Sequence, residues 1–263
     1  MNAIILAAGK GKRLGSLTKN KPKCMIKLFG KSLLEWQIQN FLECKISDIS
    51  IVTGYLGQKI KFPNINYFKN SRYNSTNMVE TLFCAKEKLV GSVIVSYGDI
   101  IYEKKVLKKL INSTEELSVV VDSNWKKYWK IRFKEPLEDA ESLIIDSKGY
   151  IQNIGQKTNN INEIQGQYIG LMKFQNVGIE FLKDFYKKAR AESKKGTNLL
   201  NPNIPFEQSY MTDLLQALIN EGCKIKAIPI KNGWLELDSI NDYQLYKDKY
   251  NTNTISQFIK LER

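Results

Sequence analysis

The sequence predicts an α/β fold in which a mainly parallel sheet carries helices on both faces. Over residues 1–122, short apolar runs of strand length alternate with segments whose apolar residues recur at helical spacing. The first apolar run also passes directly into a basic loop that is rich in glycine. With 263 residues and 43% hydrophobic side chains the chain can bury a large core, and we expect a single domain over residues 1–263.

The elements of the first half follow one another in a regular order. Apolar runs bounded by glycine or polar residues predict strands, and a period near 3.6 residues predicts helices. At the first predicted helix, Ser32 is followed three residues later by Glu35, which is the pattern of a capping box. The predicted strands are 2–6, 48–53, 65–68, 92–97 and 118–122, and the predicted helices are 32–44, 78–89 and 103–113.

The second half begins with a change of pattern. Residues 130–174 have the pattern of mostly short strands, with turns near Gly149 and Gly155, and predict a small β lid beside the main sheet. Strand and helix patterns then return, and residues 194–203 have the composition of a loop. The predicted helices here are 177–193, 206–220 and 240–250, and the predicted strands are 223–229 and 234–237.

Composition excludes several classes of protein. No apolar run reaches 18 residues, so we expect no membrane span. The first residues lack the basic and apolar regions of a signal peptide, and the cysteines show no C-x-x-C pairing. We therefore expect a cytoplasmic protein with reduced, buried thiols rather than a structural zinc site. The cysteines are Cys24, Cys44, Cys84 and Cys223.

The formal net charge of +13 raises the question of a nucleic-acid partner. Lysines are spread over most predicted helices, only five of the 40 basic residues are arginines, and no arginine-rich arm or zinc-finger spacing is present. The abundance of lysine, asparagine and isoleucine is equally explained by an AT-rich genome. We expect no nucleic acid among the partners.

The loop at residues 9–14, Gly-Lys-Gly-Lys-Arg-Leu, fits neither of two well-known phosphate loops. A dinucleotide-binding loop would need a third glycine where Leu14 stands, and an acidic residue about 20 positions further on. A P-loop would end in Gly-Lys-Ser or Gly-Lys-Thr, which is absent here. Both interpretations are excluded.

What remains is a strand followed by small residues that let the main chain approach an anion. Backbone N–H groups of such a loop can surround phosphates. Arg13 offers a planar fork for phosphate oxygens, and Lys23 offers a compact charge. The alternative is a basic surface turn without a ligand. The small residues are Ala7, Ala8, Gly9 and Gly11.

Three motifs carry a resemblance to a known family. The first, Leu-Ala-Ala-Gly-x-Gly-x-Arg-Leu at residues 6–14, is followed by Lys-Pro-Lys at 21–23; the others are Gly98-Asp99 and Trp-Leu-Glu-Leu-Asp at 234–238. Together they resemble the nucleotidyltransferases that activate sugar phosphates and phosphocholine, over nearly the whole chain. The resemblance implies a Rossmann-like α/β fold with a small acceptor-side β lid, an NTP donor, Mg²⁺ and release of pyrophosphate.

The resemblance also implies roles for the matched residues. Arg13 would bind the β- and γ-phosphates, and Lys23 would stabilise charge near the α-phosphate, because the reaction brings two anions together. Asp99 and Asp238 would hold one Mg²⁺, with Glu236 as a further candidate. Each aspartate alone could equally be an ordinary turn residue. The residues expected around the nucleotide are Leu6, Ala7, Ala8, Gly9, Gly11, Asn77 and Gly98.

Asn77 bears on the choice of nucleotide. Residues 74–82 resemble the asparagine-containing loop and helix start of the phosphocholine-type cytidylyltransferases. The Asn77 amide could pair with the edge of a pyrimidine, cap the following helix, or do both. This branch of the family implies CTP.

Residues 125–141 and 167–171 also resemble this non-sugar branch, and four of their aromatic residues could surround a cationic head group. Trp125, Tyr128, Trp129 and Tyr168 would then form a cage for a quaternary ammonium. The alternative is that these rings are part of the core.

Charged side chains offer another way to bind the acceptor. Arg132 and Asp139 could bind a zwitterionic amino-acid group. Lys157 resembles the lysine that meets the acceptor phosphate, although it stands in Gln-Lys-Thr rather than Glu-Lys-Pro and could be a solvated turn lysine. Phosphocholine, aminoethylphosphonate and L-glutamine phosphate are acceptors in this branch, and the choice among them stays open. The residues expected to contact the acceptor are Trp129, Arg132, Tyr168 and Glu141.

We therefore expect a Mg²⁺-dependent cytidylyltransferase that transfers CMP from CTP to a small non-sugar phosphorylated or phosphonate acceptor, for capsule or surface-glycan decoration. A sugar-1-phosphate uridylyl- or thymidylyltransferase is the enzymatic alternative. A binding or regulatory protein of the same fold would have lost Lys23, Asp99 or Asp238, and all three are present. The oligomeric state stays open, with a homodimer as one alternative.

Overall fold

The computed structural model describes residues 1–261, and its central feature is a seven-stranded sheet. In this part of the chain the strands are β1 (Asn2–Ala7), β2 (Lys27–Leu28), β3 (Lys31–Ser32), β4 (Ile49–Thr53), β5 (Ile65–Lys69), β6 (Ser92–Tyr97), β7 (Ile100–Tyr102), β8 (Leu117–Asp122), β9 (Glu141–Ile145), β10 (Ile151–Lys157), β11 (Gln167–Gln175), β12 (Ile225–Ile230) and β13 (Trp234–Glu236). The α-helices are α1 (Leu33–Glu43), α2 (Met78–Phe83), α3 (Lys104–Ile111), α4 (Trp125–Arg132), α5 (Val177–Ser193), α6 (Met211–Asn220) and α7 (Ile240–Asn251).

The main sheet is mixed and mainly parallel, as predicted. Its strand order is β12-β8-β11-β6-β1-β4-β5. Neighbouring strands are parallel except at β11, which is antiparallel to both β6 and β8. The carboxyl ends of β1 and β6 therefore meet at one edge, which is where α/β proteins bind their ligands.

Helices cover both faces of this sheet. Successive residues of a strand point to opposite faces, and in β1 Ala3 and Ile5 join one core while Ile4 and Leu6 join the other. The first core includes residues of α1, α3, α4 and α7, and the second includes residues of α2, α5 and α6. The predicted Rossmann-like arrangement is confirmed.

Helix α1 begins with the predicted capping box. The Ser32 hydroxyl accepts a hydrogen bond from the Glu35 N–H at 3.2 Å, and the Glu35 carboxylate accepts one from the Ser32 N–H at 2.5 Å. Two backbone donors that a helix start would otherwise leave unpaired are satisfied.

The middle of the chain differs from the prediction. Residues 125–132 form helix α4, so the strand-rich region does not begin at residue 130. Trp125, Tyr128 and Trp129 recur at the i, i+3, i+4 spacing of a helix and lie together in the core. Strands β9 and β10 pair antiparallel as a separate two-stranded sheet, which is the β lid.

Two predicted helices are shorter than expected. Helix α2 ends at Phe83 and is followed by a 3₁₀ turn at Lys86–Lys88. Helix α6 begins at Met211, after a separate 3₁₀ turn at Phe206–Gln208. In both cases the apolar periodicity of the sequence continues across a point where the α-helical conformation of the backbone is interrupted.

The cysteines and the helix lengths bear on the excluded classes. All four cysteines carry free thiols, but only Cys24 is buried and the others are partly exposed, so the expectation of four buried thiols is wrong. Burial raises the pKa of the Cys24 thiol to about 12. Within residues 1–261, no helix combines the length and the apolarity needed to cross a membrane.

Candidate active site

The carboxyl ends of β1 and β6 form the floor of a cleft. The Gly98 N–H, in the turn after β6, donates to the Leu6 carbonyl at 2.9 Å. A Cβ at position 98 would lie 2.8 Å from that oxygen, so any side chain would push the two strand ends apart. Glycine is required here, and it lets the turn carry Asp99 into the cleft.

A buried amide from α1 fixes the same turn. Gln37 is fully buried, and its Nε2 donates to the carbonyl oxygens of Tyr97 and Ile100 at 2.8 Å each. Its Oε1 accepts from the Ser96 hydroxyl at 2.8 Å. These bonds bracket Asp99, so a neutral side chain sets the position of a carboxylate. The sequence analysis missed Gln37, whose one signal was a polar residue on the apolar face of a helix.

Lys23 joins the two predicted metal-binding carboxylates. Its Nζ lies 2.8 Å from Asp99 Oδ2 and 2.9 Å from Asp238 Oδ1. Arg13 forms a second ion pair with Asp238. Burial alone would lower the pKa of Lys23, but the charges of Asp99, Asp238 and Glu236 outweigh it, and the pKa lies above its ordinary value. Two cations and two carboxylates from distant segments therefore meet at one point.

The two carboxylates fit a divalent cation. Asp99 Oδ1 is buried and has no hydrogen-bond partner among residues 1–261, so it is an oxygen with a free ligand position. Mg²⁺ usually takes one or two carboxylates together with substrate phosphates. The described part of the chain contains no group of three or more His, Cys, Asp or Glu side chains that could hold a metal. The donor set therefore suits Mg²⁺ whose remaining ligands are water molecules or nucleotide phosphates.

Most of the small residues predicted around the nucleotide line one cleft. Gly11 lies outside it and lines a wider, adjoining depression with Lys10 and Lys12. The fold therefore brings together most of the residues that the resemblance named for nucleotide and metal. The predicted residues that line the cleft are Leu6, Ala7, Ala8, Gly9, Lys23, Asn77, Gly98 and Asp99; the residues that the sequence analysis missed are Cys24, Tyr73, Thr76, Met78 and Thr81.

Asn77 caps helix α2. Its Oδ1 accepts from the Met78 N–H at 2.9 Å, and its Nδ2 donates to the Gln208 carbonyl at 3.3 Å. The capping role is confirmed. Contact between Asn77 and a pyrimidine stays a prediction.

Lys157 and Glu141 lie side by side on the β lid. They are direct cross-strand partners in the pairing of β10 with β9. Lys157 is exposed, and its Nζ donates to the Glu138 carbonyl at 3.1 Å. Burial raises the pKa of Glu141 to about 7, although the charge of Lys157 acts against the rise. The lid thus presents a cation next to a carboxyl group that is readily protonated.

Tyr168 packs edge-on against Tyr97 at the end of β6, with ring centroids 5.8 Å apart. Burial raises the pKa of both hydroxyls, and the charge of Asp99 contributes to both rises. Gly170 makes room for the pair: its φ is +80°, and a Cβ there would lie 2.4 Å from the Tyr97 ring. Tyr168 is therefore within electrostatic reach of the cleft, and Tyr97 is a neighbour that the sequence analysis missed.

The aromatic residues of α4 do not form an open cage. Trp125, Tyr128 and Trp129 are 2%, 1% and 4% exposed, and they pack against one another and against Trp234. Trp129 Nε1 donates to Asp139 Oδ2 at 3.1 Å. The prediction that these rings enclose the acceptor is wrong, because they form the core between α4 and β13.

Arg132 is also engaged within the protein. Its side chain is 1% exposed, with Nη1 3.0 Å from Glu236 Oε2 and Nε 2.9 Å from Asp242 Oδ1. The prediction that it binds an acceptor carboxylate is wrong, because two carboxylates of the chain itself already occupy its fork. Burial raises the pKa of Glu236 above its ordinary value, the charge of Arg132 acts against the rise, and the charges of Asp99 and Asp238 add to it. Glu236 therefore belongs to the same charge cluster as the two aspartates.

Comparisons with known proteins identify a matching family model and similar enzymes. Residues 3–154 match the family model described as the MobA-like NTP transferase domain. The chain is 41% identical over 260 residues to the CTP:phosphoglutamine cytidylyltransferase of Campylobacter jejuni, across 95% of this chain and 100% of the relative. It is 30% identical over 253 residues to the choline-phosphate cytidylyltransferase of Streptococcus pneumoniae, across 93% of this chain and 96% of the relative.

Solved structures share the fold. The CTP:phosphocholine cytidylyltransferase LicC from Streptococcus pneumoniae superposes with a TM-score of 0.70 at 21% identity, across 95% of this chain and 98% of that one. The inositol-1-phosphate CTP transferase from T. maritima superposes with a TM-score of 0.68 at 19% identity, across 99% and 98%. At these identities the likeness concerns the fold alone.

Proposed function

The chain belongs to the family of MobA-like NTP transferase domains, and we propose that it is a cytidylyltransferase that transfers CMP from CTP to a small phosphorylated acceptor. The observation that carries the proposal is the junction of Lys23, Asp99 and Asp238 beside a cleft lined with small residues. The similarity in sequence to two enzymes named as cytidylyltransferases supports CTP as the donor.

The proposed reaction is attack of an acceptor phosphate oxygen on the α-phosphorus of CTP. The new P–O bond forms as the bond to the β-phosphate bridging oxygen breaks, and pyrophosphate leaves. Because two anions must approach, the cations act mainly by neutralising charge. Lys23 would stabilise charge at the α-phosphate. Arg13, whose side chain is 68% exposed, can turn from Asp238 to the leaving pyrophosphate.

Asp99 and Asp238 are the residues that would hold Mg²⁺. When bound, the ion would supply further charge neutralisation on the phosphates. The unpartnered Asp99 Oδ1 supports this assignment. We accordingly propose that turnover requires Mg²⁺.

We propose L-glutamine phosphate as the first acceptor to test, because the identity to the phosphoglutamine enzyme, 41%, exceeds the 30% identity to the choline-phosphate enzyme. Lys157 beside Glu141 on the β lid suits a zwitterion that carries a phosphate, and Tyr168 is the third candidate for contact with the acceptor.

The product would serve capsule or surface-glycan decoration. Since CTP is a cytoplasmic nucleotide, we also propose a cytoplasmic location.

Pyrophosphate release by the purified protein tests the proposal. CTP, UTP, dTTP, ATP and GTP are each combined with L-glutamine phosphate, phosphocholine, 2-aminoethylphosphonate and glucose-1-phosphate, with and without Mg²⁺. We expect turnover with CTP and L-glutamine phosphate that EDTA abolishes.

Two other outcomes would change the assignment. A preference for phosphocholine over L-glutamine phosphate would keep the cytidylyltransferase and replace its acceptor. Faster turnover with UTP or dTTP and glucose-1-phosphate than with any CTP combination would favour the sugar-1-phosphate alternative, whose fold is the same.

A further inference from the structure

We propose that Arg132 is a positioning residue for the Asp238 carboxylate, a role that rests on the proposed function for its purpose but can be measured without turnover. Arg132 lies at the end of α4, whereas Asp238 lies in the turn between β13 and α7. Within residues 1–261, no hydrogen bond or ion pair joins the side chains of Arg132 and Asp238. The link between them runs through two carboxylates that flank Asp238.

The Arg132 fork holds both ends of that turn. Nη1 donates to Glu236 Oε2 at 3.0 Å, two residues before Asp238. Nε and Nη2 donate to the two oxygens of Asp242, at 2.9 and 3.3 Å, four residues after it. A planar group with three donors in a fixed arrangement thus fixes the distance between β13 and the first turn of α7.

Asp242 passes this restraint to the main chain of the turn. Its Oδ2 accepts from the N–H of Asp238 at 3.1 Å and from the N–H of Ser239 at 2.8 Å. The same oxygen accepts from the Ser239 hydroxyl at 3.0 Å. The backbone that carries Asp238 is therefore bonded to a carboxylate whose own position is set by Arg132.

The surroundings leave Arg132 little freedom to move. Its guanidinium lies over the rings of Tyr128, Trp129 and Phe133, 5.2, 5.5 and 5.0 Å from their centroids. A buried guanidinium needs paired carboxylates, and its two partners, Glu236 at the end of β13 and Asp242 in the first turn of α7, flank the turn that carries Asp238. An arginine that only held α7 against the core would need one ion pair with α7. Arg132 instead forms ion pairs with a residue before Asp238 and a residue after it. The arrangement points to orientation of that carboxylate.

Mn²⁺ binding, measured by the EPR signal of the free ion, tests the proposal without acceptor or nucleotide. Arg132→Lys keeps the charge but loses the fork, and Arg190→Lys is its matched control, since Arg190 pairs with the buried Glu80 outside the cleft. Both variants are measured with Lys23 present and in a Lys23→Ala background, which frees Asp99 and leaves Asp238 paired only with the exposed Arg13. Orienting partners of metal ligands typically contribute about 10- to 100-fold in affinity. We expect Arg132→Lys to raise the Mn²⁺ dissociation constant at least tenfold and Arg190→Lys to leave it within twofold.

Thermal unfolding separates orientation from simple loss of stability. If Arg132 only stabilises the fold, both lysine variants lower the Tm and bind Mn²⁺ equally, and the proposal is overturned. Absence of Mn²⁺ binding in every background, including the unaltered protein, would overturn it as well. Failure of the pyrophosphate assay would remove the proposed function but would leave the Mn²⁺ difference between the two variants to be explained.

Discussion

The proposed nucleotide side of the site and the region around α4 are built by different means. On the nucleotide side the cleft is lined mainly by backbone and small residues. Strand β1, the turn at Gly98 and the loop after β1 bring these groups and a few charged side chains together, and all of them lie within residues 1–99. Around α4, where acceptor contacts were predicted, the contacts join side chains from distant segments, and Arg132 and Asp242 are 110 positions apart. The two regions meet at Lys23, between Asp99 and Asp238.

This difference explains which functional residues a sequence reveals. A site made of backbone leaves a local mark, because only small residues allow such close approach. A site made of side-chain pairs leaves no local sequence signal. The residues next to a tryptophan or an arginine in the chain do not show whether its side chain faces a ligand or the core. Substitutions in the two regions should therefore have different effects: those around α4 should lower stability, and those on the nucleotide side should mainly lower activity.

Trp129→Ala should have the largest effect, and the effect should be on stability. Truncating a buried tryptophan typically costs about 3–5 kcal/mol, and Trp129 is 4% exposed. Urea unfolding measures the loss, with Trp129→Phe as the milder control. Below the unfolding transition, the acceptor KM should stay near its original value. A raised KM with an unchanged free energy of unfolding would return Trp129 to the acceptor site and break the contrast.

Lys23→Ala should act on chemistry instead. Loss of a donor that stabilises transition-state charge typically lowers turnover by about 10²–10³. Pyrophosphate release under saturating CTP and acceptor checks this, with the exposed Lys61→Ala as the control for loss of one positive charge. Turnover of Lys23→Ala within tenfold of the unaltered protein would remove Lys23 from the mechanism.

Two glycines sharpen the account of the nucleotide side. In Gly98→Ala the new Cβ would meet the Leu6 carbonyl at 2.8 Å, so we expect a loss of about 1–3 kcal/mol in stability. In Gly9→Ala the new Cβ meets nothing within 4 Å, although Gly9 lines the cleft. That variant should keep its stability within about 0.5 kcal/mol and show a higher KM for CTP. Thermal unfolding and CTP kinetics on both variants check the pair, and equal behaviour of the two would contradict it.

Glu141→Gln should give the smallest effect, visible only as a function of pH. Because burial raises the pKa of Glu141 to about 7, the native state binds this proton more tightly than the unfolded chain does. The resulting stabilisation is present below pH about 4.5 and is lost as pH rises through 7. The variant should therefore lose less stability than the unaltered protein between pH 5 and pH 8. Urea unfolding at both pH values tests this, with Glu135→Gln at an exposed position as the control. An equal change in the free energy of unfolding between the two pH values for the unaltered protein and both variants would rule it out.

The parts that sequence predicted follow the same division. The strand that ends at Tyr97, the capping box at Ser32 and the cleft residues from Leu6 to Gly9 were predicted because each depends on neighbours in the chain. Gln37 was missed because its partners are carbonyl groups of another element. A polar residue on the apolar face of a helix indicates a buried hydrogen bond, but the sequence does not identify the partner.

In α4 even a correct pattern was given the wrong interpretation. Trp125, Tyr128 and Trp129 have helical spacing, and three rings on one face of a helix indicate burial as readily as a cage. Choosing between the two requires knowing that Trp234 lies opposite, more than 100 residues later. The pairing of Arg132 with Asp242 is similarly beyond any local pattern.

The ion pair between Lys23 and Asp238, 215 positions apart, has a consequence for biogenesis. Strands β5, β4, β1 and β6 are adjacent in the sheet and all come from the first 97 residues, and chains fold from the N-terminus as they leave the ribosome. A chain translated only as far as β6 can therefore already possess its loop of small residues. The second carboxylate arrives only with β13 and the turn after it. Synthesis thus delays the assembly of the charge cluster until Asp238 has been made, and no translation intermediate that ends before Asp238 contains it.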